Sequence, residues 1–506
     1  MKRCAAHTYT WLFLYCVPLL FFGFAGAAGA EAAVQSQTPS PSADAGGATA
    51  TLNALPPSPY SFTPAPAPLT LEPAPSISWT SWGKLYGYTA KDINQQLDED
   101  DDLSRLQARL GVDLDKRLEQ KKLSARISLE ADRLFYAADE ADKDTDITLY
   151  ETYLLLSGPR WDFSFGKQRV RWGKSDQLSP LDSINPEDMR QFITVDLEER
   201  KDPSWLGRFR THGQRLSVEA IVSPWFEESQ IDYFDSNWAL YRNLRQSILN
   251  HPGLPQAAKD YTSALRVHET KPSDSLENMS GALRLLWQGE HADFALSHHY
   301  GWETLPCITS FPVKGIAFDG DPGTDPEALM GTAELTATAV EAEFKRQKIT
   351  GFEWETVLDP VGFRGELAYI DKVSFLSADL TSIRRTAGHL VTGIDYISAS
   401  EWYLNLQASW YHIFDYDKKI LYFERDNVSL LGEISKPVWR GNLEFATRFN
   451  YTLTDASFYV QPNVTLNYFT NTECEIGLNI FSGAGDTIFG SHDQADQVYA
   501  RIVVYW

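Results

Sequence analysis

Apolar and polar residues alternate with a period of two along most of this chain after residue 77. Leu106, Ala108, Leu110, Val112 and Leu114 fall on one face of an extended segment, with Arg105, Gln107 and Arg109 on the other. After a short turn the pattern returns: Leu123, Ala125, Ile127, Leu129 and Ala131 interleave with Ser124, Arg126, Ser128, Glu130 and Asp132. Successive side chains of a strand point to opposite faces, so each segment is a strand with one apolar and one charged side. The pattern recurs at 402–413, 440–451 and 456–468, and Trp402 and Trp410 bracket the apolar stripe of the first of these. Such strands predict an all-β, transmembrane antiparallel β-barrel with lipid outside and water inside, edged by aromatic girdles.

The connections support the same architecture. The alternation predicts eighteen strands between 77–90 and 496–506, including 147–156, 161–170, 343–358 and 387–398; a count of sixteen also fits. Tight turns fall at Gly158-Pro159, His212-Gly213, Gly289-Glu290, 359–362 and 470–473. Long loops fall at 171–202, 224–279 and 303–342. Short periplasmic turns opposite long extracellular loops are the rule for outer-membrane barrels, whose even strand count returns the chain to its starting side. The last strand places Val504, Ile502 and Trp506 on one face, and its terminal aromatic is expected to serve as the signal read by barrel-insertion machinery.

The N-terminal region differs. Lys2, Arg3, the apolar run Trp11 to Phe24 and the Ala28-Gly29-Ala30 site read as a signal peptide over 1–30. Residues 31–76 are rich in Ala and Pro and predict a disordered linker, which leaves 77–506 as the barrel domain. Export through the periplasm to the outer membrane follows, with outer-membrane lipids as the first partner. The formal net charge of −23 argues against a nucleic-acid partner, which needs a basic surface. A mean hydropathy of −0.31 would not suit a helical membrane protein, but suits a barrel that shows lipid only alternate residues. Of the four cysteines, Cys4 and Cys16 lie in the signal segment, and nothing in the sequence calls for a bond between Cys307 and Cys474.

Several charged residues are candidates for chemistry. Arg105, Arg109, Arg126, Arg364 and Arg448 are expected to face the lumen and to pair across strands with Glu130, Asp132, Glu151, Glu366 and Glu444. The run 98–102 is acidic but lacks the alternation of a calcium loop. His298 and His299 are strand neighbours on opposite faces and cannot share a metal, so neither a metal nor a cofactor is expected.

One segment does not follow from barrel patterning. It runs Gly166-Lys167-Gln168-Arg169-Val170-Arg171-Trp172-Gly173-Lys174-Ser175-Asp176, followed by Asp182-Ser183-Ile184-Asn185-Pro186-Glu187-Asp188. It resembles domain-of-unknown-function family 1302, Gram-negative outer-membrane proteins with a G-[RK]-Q-x-V-x-W-G-x-S segment followed by D-x-I-N-P-x-D. The resemblance implies association with RND-type export systems, and hence an export system as a partner. Physically, Lys167, Arg169, Arg171, Trp172, Asp176, Asp182, Asn185 and Asp188 are expected at a loop that folds inward as a constriction or plug, with Arg169, Arg171 and Trp172 near the lumen mouth. The resulting expectation is a porin-like passage for a small solute, without enzymatic chemistry. The alternatives are a non-conducting barrel that anchors surface polysaccharide or an export complex, and, more remotely, a lipid hydrolase. The last would need a Ser or Thr with a His at the outer rim, and no G-x-S-x-G is present.

Overall fold

The structure, a computed structural model, describes residues 77–94, 102–118, 120–136, 145–234, 236–321, 325–326 and 334–506. The signal segment, the linker and residues 98–101 of the acidic run lie outside these.

Alternation becomes a closed antiparallel barrel of eighteen strand positions. These are β1 (Ile77–Asp92), β2 (Leu103–Leu118), β3 (Lys121–Tyr136), β4 (Asp146–Leu149 and Thr152–Ser157), β5 (Trp161–Gln168) and β6 (Ser204–Thr211). They continue with β7 (Leu216–Ser223), β8 (Ser280–Gln288), β9 (Ala292–Trp302), β10 (Arg346–Leu358), β11 (Val361–Leu376) and β12 (Ser382–Ile397). The last are β13 (Tyr403–Ile413), β14 (Asp426–Val438), β15 (Leu443–Thr452), β16 (Phe458–Leu466), β17 (Thr472–Ser482) and β18 (Gln497–Tyr505). Each pairs with its chain neighbours, and β1 closes the circle on β18 with Lys84 opposite Tyr505 and Asp92 opposite Gln497. Closure leaves no unpaired sheet edge, the condition for a sheet to stand in lipid.

The faces fall as the alternation requires. On β2, Leu106 and Leu110 are more than half exposed to the outside, whereas Arg105 and Arg109 are buried inside. Ile476 and Ile502 show the same outward exposure on β17 and β18. Trp79, Trp287, Trp439, Tyr468 and Trp506 stand exposed at the short-turn end, and Trp410 and Tyr300 towards the long-loop end. Trp439 stacks on Tyr468 with ring centroids 5.4 Å apart. These are the two girdles of a membrane-embedded barrel.

Several strand boundaries depart from the pattern. β4 is interrupted at Tyr150 and Glu151: the Tyr150 ring turns inward and is buried between the guanidinium groups of Arg109 (4.2 Å) and Arg169 (5.2 Å). β5 stops at Gln168, because the Val170 N–H donates to the Asn185 side chain at 2.7 Å rather than to a neighbouring strand. The predicted 343–358 begins at Arg346, and Ala339–Glu343 belongs to a separate small sheet with Cys307–Ser310 and Arg266–Thr270. β12 begins at Ser382, ahead of the predicted 387.

The long connections cover one end of the barrel. Tyr241, Ile248, Ile308, Phe318, Val340, Leu380 and Leu421, from four different loops, share one apolar cluster. The loop 224–279, which carries helix α1 (Arg242–Asn250), joins β7 to β8. Asn243 donates to the Ser491 carbonyl at 2.9 Å, in the loop between β17 and β18. Strands eight and seventeen are opposite one another in a circle of eighteen, so this loop bridges the mouth. Cys307 and Cys474 are free thiols in different parts of the fold.

Candidate functional site

The loop 169–203 enters the lumen and is tied to the wall on nearly every side. At its base, Asn185 accepts from Val170 and donates to the Gln168 carbonyl (2.9 Å), the Asp202 carbonyl (3.0 Å) and Ser204 Oγ (2.7 Å). One amide thus joins both stems of the loop. Beside it Trp172, 1 % exposed, packs among Val170, Leu206, Ile221 and Ala282, with the Arg284 guanidinium over its ring at 5.9 Å. Asp182 accepts from the Trp172 N–H at 3.4 Å, and Lys201 lies 3.6 Å from its carboxylate.

Beyond Trp172 the chain turns at Gly173 (φ +89°), a conformation that L side chains rarely adopt. The turn brings backbone onto β11: Glu366 accepts from the N–H groups of Lys174 and Ser175, both at 2.6 Å, and from Ser179 Oγ at 2.8 Å. Asp176 pairs with Arg364 at 2.8 Å and accepts from Asn405 of β13 at 2.8 Å, while Lys174 reaches Glu355 of β10 at 2.6 Å. On the β9 side, Ser183 contacts His299 at 3.1 Å.

The returning half of the loop meets the other side of the wall. Asp188 takes Arg105 of β2 at 2.7 Å and Arg190 at 2.9 Å, and Arg190 also reaches Asp132 of β3. Gln461 of β16 donates to the Thr194 carbonyl at 2.9 Å. Asp196 bridges Arg448 of β15 and Arg501 of β18, and Glu199 bridges Lys84 of β1 and Arg109 of β2. The arginines beside Asp188 hold its carboxyl far below the usual carboxylate range, against its burial. Glu199 is likewise held down, at about 2, by Arg109 and Lys84, which outweigh its burial. A buried pair of this kind contributes little net stability, yet leaving one partner alone costs about 3–5 kcal/mol, so such pairs fix position.

Between the loop and the wall from β14 round to β1 a cavity of about 660 Å³ remains. Glu473 and Tyr505, at the short-turn ends of β17 and β18, line it, so it reaches that end of the barrel. Arg171, Asp176 and Asp182 line it as well. The other five predicted loop residues do not. Lys167 faces Glu227 at 3.6 Å and Arg169 lies against Glu151 and Tyr150. Trp172 is buried against the wall near the long-loop ends of β6, β7 and β8, and Asn185 and Asp188 hold the loop. The polar groups of Asn185 and Asp188 are consumed by the tethering itself.

The lumen-facing residues are placed as the alternation required, but not all of their partners are. Arg105 meets Asp132 at 2.8 Å, Arg109 meets Glu130, and Arg126 meets Glu151 at 3.4 Å. Arg364 instead pairs with Asp176 and Asp395, and Arg448 with Glu433 and Asp196; Glu366 and Glu444 are not their partners. The inward loop supplies nearer carboxylates and takes Glu366 for its own backbone. Asp196, Glu198 and Glu199 lie in the loop, where no local pattern sets them apart from other charged residues, whereas strand alternation alone puts Glu433 and Arg501 on the lumen side. His298 is exposed on β9 against Thr350, and His299 is half-buried against Ser183. A further Ser–His contact inside the barrel, His389 with Ser409 at 2.9 Å, is buried. Among the described residues no cluster suited to a metal ion occurs.

No family model and no curated protein matches the chain. Solved structures do. OmpF of Salmonella typhi, in complex with daunomycin, is 9 % identical over 85 % of this chain and 97 % of its own, with a TM-score of 0.40. OccK5 (OpdH) of Pseudomonas aeruginosa is 8 % identical over 85 % and 97 %, at 0.45. OccAB4 of Acinetobacter baumannii is 9 % identical over 86 % and 98 %, at 0.46. The barrel itself rests on its hydrogen-bonded register.

Proposed function

We propose that this protein is an outer-membrane channel of porin type, in which the loop 169–203 forms the constriction through which a small solute passes without covalent chemistry. The observation that carries this reading is the cavity beside the loop. It is lined by charged side chains of both the loop and the wall, among them Arg171, Asp176, Glu198, Glu433 and Arg448. A packed plug would fill this space with apolar contacts, whereas a polar, charge-lined gap sets a field across a passing solute. The apolar outer belt supports an outer-membrane location, and the motif from Gly166 to Asp188 supports kinship with family 1302. On that kinship an export system is a further partner.

A second reading, a barrel closed at rest, is favoured by the loop 224–279 that bridges the mouth. Planar-bilayer conductance of the purified chain separates the two. Stepwise channels from the intact protein are expected. Current that appears only after deletion of 240–272 makes the bridging loop a lid, current that appears only after deletion of 171–199 makes the inward loop a plug, and silence of all three forms overturns the channel reading.

A further inference from the structure

The charges around the large cavity do not balance. Among the described residues, five basic and eight acidic side chains line it, a surplus of three carboxylates. Most of both signs are held in ion pairs, and Asp176, Asp182 and Glu199 also meet Arg364, Lys201 and Arg109 behind the lining. Lys84 is held by Glu199, Arg448 by Asp196 and Glu433, and Arg501 by Asp196 and Glu475. Glu198 stands with 75 % of its side chain exposed although Arg171 lies 3.2 Å away, and Glu473 has no ion pair among the described residues. Burial pushes Asp182 upward, but a neutral Asp182 would still leave an acidic surplus.

A smaller recess of about 170 Å³ has the opposite balance: Arg169, Arg208 and Arg210 against Glu151 and Asp162. The two spaces therefore predict opposite selectivity, and size favours the acidic one.

We propose that the 660 Å³ cavity is a cation-selecting vestibule, and that the solutes of this channel are small cations. The inference rests on the channel reading above. Fixed carboxylates in a confined space bounded by protein raise the local cation concentration. Their reach is about 8 Å at physiological ionic strength and about 3 Å at 1 M salt, so the preference must weaken as salt rises.

The test is the reversal potential of the full chain in a planar bilayer across a KCl gradient. A potassium-over-chloride permeability ratio of roughly threefold or more is expected at low salt, falling towards one at high salt. Glu198→Gln and Glu473→Gln, made separately and each confirmed as a folded barrel by its heat-dependent gel shift, should each lower the ratio. Arg210→Gln, in the smaller recess, should leave it unchanged. Normal conductance with a ratio at or below one overturns the proposal and leaves the channel intact. A ratio unmoved by both glutamate substitutions also overturns it. Absence of current removes the channel reading, and this inference with it.

Discussion

Glu366 on β11 accepts the backbone N–H of Ser175 at 2.6 Å, although 191 residues separate them in the chain. The same carboxylate takes the Lys174 N–H and the Ser179 hydroxyl, and it therefore holds the advancing half of the lumen loop to the wall. Gly173 makes the approach: a Cβ there would sit 2.7 Å from the carboxylate oxygens and 2.1 Å from Ser179 Oγ.

Glu366→Ala strands those donors, each worth about 1–3 kcal/mol when left unsatisfied. The loop should detach at this end, so single-channel conductance should rise and protease should cut within 173–180 in detergent. Gly173→Ala should act in the same direction through strain and steric overlap. Conductance and protease protection that both match the parent protein would refute the anchoring role.

Asn185 and Trp172 are expected to be structural. Asn185→Ala should cost about 2–3 kcal/mol through lost hydrogen bonds at the loop base. Trp172→Ala should cost about 3–5 kcal/mol as a large-to-small change in a packed site. The measurement is the temperature at which the folded gel band is lost, which should fall in both. Neither change should alter ion preference, and a changed potassium-to-chloride ratio in Trp172→Ala would place that ring in the pore after all.

Acid should loosen the loop. Arg109 and Lys84 depress Glu199 from an ordinary 4.5 to about 2, and Arg448 and Arg501 depress Asp196. A carboxyl depressed in the folded state contributes its full stabilisation above the unfolded value and loses it as pH falls through the folded one. The tether should thus hold at pH 7 and weaken from about pH 4.5 towards 2. Conductance recorded at pH 7 and pH 3 should show larger or noisier openings at the lower pH, and Asp196→Asn should show some of that noise at pH 7. Identical traces at the two pH values would count against it.

The barrel seam rests on Gly83 and Trp506. Their backbones exchange hydrogen bonds at 3.0 and 3.1 Å, and a Cβ on Gly83 would lie 2.1 Å from the Trp506 indole. Gly83→Val should therefore sharply reduce the folded, heat-shiftable fraction, while Trp506→Phe should fold nearly as well as the parent. If Trp506 is also the mark read by insertion machinery, Trp506→Ala should assemble poorly in cells yet refold into detergent. Equal yields in both settings would separate the seam from any such signal.

The sequence by itself determined the strands, their faces and some of the pairs between adjacent strands. Strand periodicity is local, and Arg105 meets Asp132 because β2 and β3 are joined by a short turn that sets their register. The inward course of the loop was partly legible too, since Gly173 and Asn185 have no use in a barrel wall. Its destination was not. Alternation places Arg448 in the lumen and Glu433 of the neighbouring strand beside it; its second partner, Asp196, 252 residues away, follows from the path of the loop. That the Trp172 ring turns to the wall and not into the lumen was likewise decided by packing, against Leu206 and Ile221. Contacts within a strand pair are decided by turn length, whereas contacts across a lumen are decided by which of many like charges the folded chain brings near.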